Sequence, residues 1–227
     1  MTLQEAISAR HAVRSYLDKP IEDEKIKAIQ KCIDLCNREG GLHIQLIINN
    51  PKAFASGIVT YGKFHGVNNY IAMVGPKGAK SDESIGYFGE QIVLKLQTLG
   101  LNSCWVGQTF KNDKSAYQRA ENEELKCVIT LGYGVNQGVQ HPQKKTISDV
   151  AINKTDKPFP EWFERGINAA LLAPTAVNQH KYKFVLHEGN RVEAKTKFSW
   201  MGYTHIDLGI VKYHFELMAG KENFEWI

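Results

Sequence analysis

The chain has 227 residues, 43% of them hydrophobic, with 28 Lys and Arg against 24 Asp and Glu for a net charge of +4. That length buries a core large enough to need no disulfide staples, and basic and acidic residues are interspersed, which argues against a nucleic-acid partner. No run approaches the roughly 20 apolar residues of a membrane span, and Met1-Thr2-Leu3-Gln4-Glu5 carries an acid and no apolar signal region, so a soluble, cytoplasmic protein is expected.

Thr2-Leu3-Gln4-Glu5 has the form of a capping box, and predicts a helix from Leu3 to about Ala9 that ends at Arg10. Glu22, Asp23 and Glu24 suit the first turn of a second helix with the stripe Ile26, Ile29, Ile33 and Cys36, stopped by Gly40-Gly41. Leu42 to Ile48 alternates as a strand, Pro51 to Asn69 is irregular, and Tyr70 to Val74 is a further strand. A helix from Ser81 places Ile85, Phe88, Ile92, Leu96 and Leu99 on one face and closes at Gly100. Strands are predicted at Ser103 to Val106 and Cys127 to Leu131, with a short helix between them. Cys32, Cys36, Cys104 and Cys127 lie in these apolar elements without C-x-x-C spacing and read as reduced core residues. Cys32 and Cys36 do share a helix face, but no metal is expected.

The second half repeats the first. Ile29 through Ile48 overlays Ile167 through Leu186 without a gap, each reading as helix, loop and strand. Gly89 and Gly100 bracket a helix as Gly209 and Gly220 do, the later one striped by Ile206, Ile210, Tyr213 and Leu217, with an intervening stretch eighteen residues shorter. The expectation is an internal duplication: a first unit over 1–150 and a shorter one over 151–227.

Four segments carry candidate chemistry. Arg10-His11-Ala12-Val13-Arg14 places two guanidiniums beside a helix end, and arginine's planar fork grips phosphate or a ring carbonyl, although a solvated basic turn has the same composition. In Ala173-Pro174-Thr175-Ala176-Val177-Asn178, Pro174 ends a helix, Thr175 and the following amides offer phosphate anchors, and Asn178 offers a donor and an acceptor; a plain connector is the alternative. In Gly100-Leu101-Asn102-Ser103-Cys104-Trp105-Val106-Gly107, glycine lets a flat ligand approach the backbone, and Trp105 is either a pocket wall or core. After Gly132-Tyr133-Gly134 comes the basic pair Lys144-Lys145, which is either functional or merely solvated.

Together these segments resemble the nitroreductase family of flavoproteins, with its R-x-x-x-R or R-x-S-x-R arm, A-P-S-x-x-N-x-Q-P-W loop, G-L-G-S-x-W-x-G strand and L-G-Y. The order differs here: Asn37-Arg38-Glu39-Gly40-Gly41 stands where A-P-S is usual, and A-P-T-A-V-N appears in the second repeat. Family members are usually homodimers that build each flavin site from two subunits, so the resemblance implies a fused pseudo-dimer like that of the thermophile-type subfamily, with one site and no need of a second chain. The implied fold is α+β and nitroreductase-like, duplicated helix-strand units giving central mixed sheets flanked by helices.

The resemblance also implies FMN as cofactor, NADH or NADPH as reductant, and a nitroaromatic, quinone or similar small molecule as acceptor. A flavin-binding storage, sensor or structural protein without turnover is the alternative. Carried over by residue, Arg10, Lys144, Lys145 and Thr175 would hold the phosphate, and His11 the ribityl or ring edge. Pro174, Asn178, Trp105 and Val106 would line the site. Arg14 and the Gly107 amide would tune the ring at N1/O2 and N5. No side chain is expected to be a nucleophile. Ala12, in place of a serine, and His180-Lys181-Tyr182, in place of Gln-Pro-Trp, depart from the family pattern. The segments Ser56 to Asn69 and Met201-Gly202-Tyr203 are both placed to cap the ring.

Overall fold

A computed structural model of the chain describes residues 1–54, 64–200 and 202–227. Residues 56–63 of the first expected cap, and Met201 of the second, lie outside the described residues.

Helix α1 (Leu3–Ala9) starts as anticipated: Thr2 Oγ1 accepts from the Glu5 amide at 3.2 Å, and the Glu5 carboxylate accepts from the Thr2 amide at 2.8 Å. Helix α2 (Asp23–Gly40) buries Ile29, Ile33 and Cys36 and ends where Gly41 turns left-handed at φ 61°. Strand β1 (Gln45–Ile47) is shorter than Leu42 to Ile48 predicts. The Asn37 side chain takes both the Ile44 amide, at 2.7 Å, and the Ile44 carbonyl, at 2.9 Å, and so satisfies that backbone without a ladder.

Strand β2 (Asn69–Pro76) and helix α3 (Ala79–Thr98) follow, then β3 (Asn102–Val106) and β4 (Glu123–Gly132). The short helix expected between β3 and β4 is not formed. Asp113 holds Ser115 in a turn, the Gln45 amide group donates to the Gln118 carbonyl at 2.7 Å, and Phe110, Ala116 and Tyr117 pack on the cluster around Tyr70 and Val128. The first sheet is antiparallel throughout, in the order β1-β2-β4-β3.

Helix α4 (Ile147–Val150), β5 (Ala151–Asn153), α5 (Glu161–Leu172), β6 (Tyr182–His187), β7 (Arg191–Thr196), α6 (Thr204–Ala219) and β8 (Glu225–Trp226) complete the chain. The second sheet is mixed, ordered β5-β6-β7-β8, with β5 parallel to β6, β6 antiparallel to β7 and β7 parallel to β8. Both sheets and the helices α2, α3, α5 and α6 share one core, in which Phe163, Tyr182, Phe184 and Phe215 are fully buried. No helix among the described residues is long and apolar enough to cross a membrane.

Both strand pairs are antiparallel, and with Gln45–Ile47 laid on Lys183–Val185 their partner strands are offset by 123, the number that also separates Gly86 from Gly209. Gln45 pairs with Ala72 and Ile47 with Tyr70; adding 138 to the first member and 123 to the second gives Lys183 paired with Lys195 and Val185 with Glu193, which are the pairs of β6 and β7.

Helices α3 and α6 cross with the same reciprocity. A methyl on Gly86 would run into the Ile206 carbonyl and the Ile210 amide, and one on Gly209 into the Glu83 carbonyl and the Tyr87 amide. Each glycine therefore faces the carbonyl three residues before the other, the relation a local two-fold axis produces. The crossing matches Gly86, not Gly89, to Gly209. The ladder offsets of 138 and 123 make the intervening stretch fifteen residues shorter, not eighteen.

Candidate functional site

Beyond α1 the chain is extended and clamped. Ala12 bridges Ser103 in parallel, the Val13 amide donates to the Ser103 carbonyl at 3.1 Å, and the Tyr16 amide donates to the His65 carbonyl at 2.9 Å. The Tyr16 hydroxyl, buried and with its pKa raised by that burial, donates to the Val13 carbonyl at 2.7 Å and lies 2.8 Å from Thr130 Oγ1. The arm thus runs along β3. Both guanidiniums act electrostatically on that strand, since Arg14 and Arg10 each oppose the rise that burial imposes on the Cys104 thiol. His11 meets the 138–141 turn, where burial, Arg10 and His141 together lower its pKa.

A buried node ties this arm down. Glu90 of α3 and His214 of α6 are both fully buried. The Trp105 indole donates to one Glu90 oxygen at 2.8 Å, while His214 Nε2 lies 2.9 Å and Arg10 Nε 3.8 Å from the other. His214 Nδ1 sits 3.0 Å from the Ala169 carbonyl, which can only accept, so Glu90 and His214 share a further proton whichever of them carries it. Arg10 is 10% exposed at its side chain, and its Nε makes no hydrogen bond among the described residues. Trp105 turns its indole onto Gly89 and Glu90, and Val106 is still paired with Val128 in the ladder, so Gly107 is the first residue beyond the paired strand.

The loop after α5 is strained. Val177, Asn178 and His180 have φ of 47°, 52° and 46°, a conformation that costs non-glycine residues on the order of 1 kcal/mol each and collects at functional sites. Asp207 holds it there, accepting from the Ala176 amide at 2.8 Å and from the Gln179 side chain at 2.7 Å. The Ala176 amide is therefore engaged by a carboxylate and is not a free phosphate anchor. Thr175 Oγ1 accepts from the His180 amide at 3.2 Å and keeps its own proton to donate. Val177 and Asn178 are exposed, and Pro174 is half-buried. Lys144 and Lys145 are exposed too, and Lys145 is close enough to lower the pKa of His180, which burial lowers first.

Helix α6 connects these parts. Tyr203, at its N-cap, lays its ring on Gly107, where a Cβ would come within 2.8 Å of the phenol carbon. Asp207, in its first turn, holds the 176–179 loop, and His214, further along, holds Glu90 and through it Arg10 and Trp105. The arm, the strand end and the loop thus hang on one helix. Glu90, His214 and Asp207 were not anticipated. The available signal was a charged or polar residue inside an otherwise apolar helix, where burial requires a partner.

Burial pushes the Asp207 carboxyl up to about 6, against the Ala176 and Gln179 hydrogen bonds. Its unfolded value is ~3.9, so the folded chain binds this proton more tightly, and the stability it contributes is fully present below pH ~4 and lost as pH rises through about 6. Asp207→Asn carries no such proton. Its stability relative to the native chain, measured by urea unfolding at each pH, is expected to rise by ~2–3 kcal/mol between pH 4 and 7. A constant difference across that window would contradict the assignment.

Residues 2–219 match the model of the family described as "Putative TM nitroreductase". Among solved structures, one described as a putative nitroreductase from Thermotoga maritima aligns with a TM-score of 0.66 at 20% identity, covering 99% of this chain and 87% of that one. Another, described as a putative nitroreductase in complex with FMN from Desulfovibrio desulfuricans, aligns with a TM-score of 0.52 at 15% identity, covering 70% of this chain and 99% of that one. No curated protein matches the sequence. At these identities the structural likeness establishes the fold, which is nitroreductase-like.

Proposed function

Because the chain belongs to the nitroreductase family matched over residues 2–219, we propose that it is an FMN-dependent oxidoreductase. FMN, when bound, would supply two-electron hydride chemistry between NADH or NADPH and a small acceptor such as a nitroaromatic or a quinone. The observation that carries this reading is the parallel docking of the Arg10–Arg14 arm on β3, which brings two separate motifs to one strand ending at Gly107.

The residues fit an anionic, planar ligand. Two buried nitrogens beside the site, Arg10 Nε and His180 Nδ1, lack hydrogen-bond partners among the described residues. Arg10, Lys144, Lys145 and the Thr175 hydroxyl would hold the phosphate, with His11 at the ribityl chain and Pro174 and Asn178 along the ligand. Arg14 is exposed on the arm and would place its charge where a reduced ring accumulates negative charge, and the Gly107 amide would face N5. Tyr203 covers Gly107 in this structure and would have to give way or stack.

The shared offset of 123 and the reciprocal helix crossing support an internally duplicated chain, 1–150 and 151–227, in which one polypeptide completes one site. Replacing both Thr175 and Asn178 with alanine is then expected to weaken FMN binding about five- to a hundredfold, the loss of ~1–3 kcal/mol in buried hydrogen bonds. Spectral titration reads this directly. Unchanged affinity, or two flavins per chain in the native protein, would remove the loop from the site. Acceptor-dependent oxidation of NADH or NADPH tests turnover.

A further inference from the structure

The outward face of the β6–β7 hairpin carries a further charge arrangement, bordering Lys145 of the proposed phosphate site. Alternation along the two strands sends Tyr182, Phe184 and Val192 into the core and Lys181, Lys183, Lys195 and Lys197 to the opposite side. Lys183 stands directly across from Lys195 in the ladder. One step further along the same face, the Lys197 amide donates to the Lys181 carbonyl at 2.8 Å, so a second like-charged pair follows the first. Like charges directly opposite each other destabilise a sheet. Glu193 answers Lys195 at 2.8 Å, but Lys181, Lys183 and Lys197 form no ion pair among the described residues. The ammonium of Lys197 is held below the usual lysine range, first by burial and then by Lys183, Lys145 and Lys181, with only Asp149 opposing. Asp149 is itself engaged by Thr146 in a capping box.

Two aromatic residues continue this strand outward. Phe198 and Trp200 are 74% and 93% exposed and meet edge to face with centroids 5.1 Å apart. Rings of this size left in water are an unusual cost, and next to unpaired lysines they make a surface suited to a base attached to phosphate. The same segment runs on to Tyr203, whose ring lies on Gly107.

We propose that this face binds the adenosine phosphate end of the nicotinamide dinucleotide, with the lysines on its phosphates and Trp200 or Phe198 against the adenine, and that it selects NADPH over NADH through the 2′-phosphate. The proposal rests on the oxidoreductase reading, in which the nicotinamide end would lie at Gly107. Lysine ammoniums serve as point charges for phosphate, and the 2′-phosphate is the group that distinguishes the two reductants.

The test is a titration of the purified full-length protein with 2′,5′-ADP, with 5′-AMP and with a single-stranded oligonucleotide, read by tryptophan fluorescence at low salt. 2′,5′-ADP is expected to bind at least about tenfold more tightly than 5′-AMP and to quench Trp200, with a quench lost in Trp200→Phe. The Lys183→Gln and Lys197→Gln variants should each weaken 2′,5′-ADP by about three- to tenfold, lower the NADPH-to-NADH ratio of kcat/KM, and unfold no earlier than the native chain, because each removes like-charge repulsion. Equal binding of 2′,5′-ADP and 5′-AMP, tighter binding of the oligonucleotide, or full affinity in both lysine variants would overturn the proposal. A preparation that binds no FMN would instead refute the oxidoreductase reading, while the 2′,5′-ADP titration would still report on this face.

Discussion

Gly86→Ala and Gly209→Ala are each expected to destabilise the chain by about 3 kcal/mol or more, at the upper end of what a single added methyl does in a packed interior. The obstacle at each position is backbone, the Ile206 carbonyl for Gly86 and the Glu83 carbonyl for Gly209, and neither can rotate away as a side chain can. Relief requires the two central helices to move apart, which loosens packing along their whole shared face. The double variant should therefore cost clearly less than twice the single one, since a separation made for one methyl admits the other. Urea unfolding of the three variants measures this. A single variant within ~0.5 kcal/mol of the native chain, or strictly additive costs, would mean that the crossing is not the tight two-fold contact described. Because Tyr203 and Asp207 stand at the start of α6, the same variants should also weaken whatever the Gly107 and Thr175 region binds.

What could be read in advance divides along a physical line. Local signals were reliable: the Thr2–Glu5 capping box and the stop at Gly41 rest on bonds between residues a few positions apart. The proposed repeat rests on a signal visible in the sequence, the common apolar rhythm of Ile29–Ile48 and Ile167–Leu186, and these stretches do fold alike as helix, loop and strand. The later part of that overlay went astray by three residues because two glycine pairs were aligned by spacing, whereas the pair that matters is set by a helix crossing invisible in either helix alone. Strand β8, two residues long and paired only with β7, carries too little pattern to be recognised. The short helix expected between β3 and β4 is replaced by a turn that Asp113 makes locally with Ser115 and by hydrogen bonds that Gln45, 73 positions away, makes with Gln118. Arg10 and Trp105 stood out in the sequence as separate candidates, but what brings them together is Glu90, whose partner His214 lies 124 positions away.

Glu90→Ala is expected to cost about 3–5 kcal/mol, and Glu90→Gln much less, about 1–2 kcal/mol. The alanine removes the acceptor of the Trp105 indole, the partner of His214 Nε2 and the only carboxylate paired with Arg10 among the described residues, leaving a buried cation uncompensated. Glutamine can keep the geometry. Its carbonyl oxygen accepts from Trp105 while its amide donates to His214 Nε2, and His214 still donates from Nδ1 to the Ala169 carbonyl. The carboxylate facing Arg10 at 3.8 Å is lost together with the proton it shares with His214, so the glutamine variant keeps the hydrogen bonds and removes the ionisable pair. A double-mutant cycle with His214→Ala should give a coupling of ~1.5–3 kcal/mol, since each single change leaves the other partner buried and unsatisfied. The glutamine variant should also release the Arg10 guanidinium from the α3 side without dislodging β3, so ligand affinity at the arm should change while the fold is kept. Equal costs for alanine and glutamine, or a coupling near zero, would show that Glu90 and His214 are merely adjacent and that another contact orders the arm.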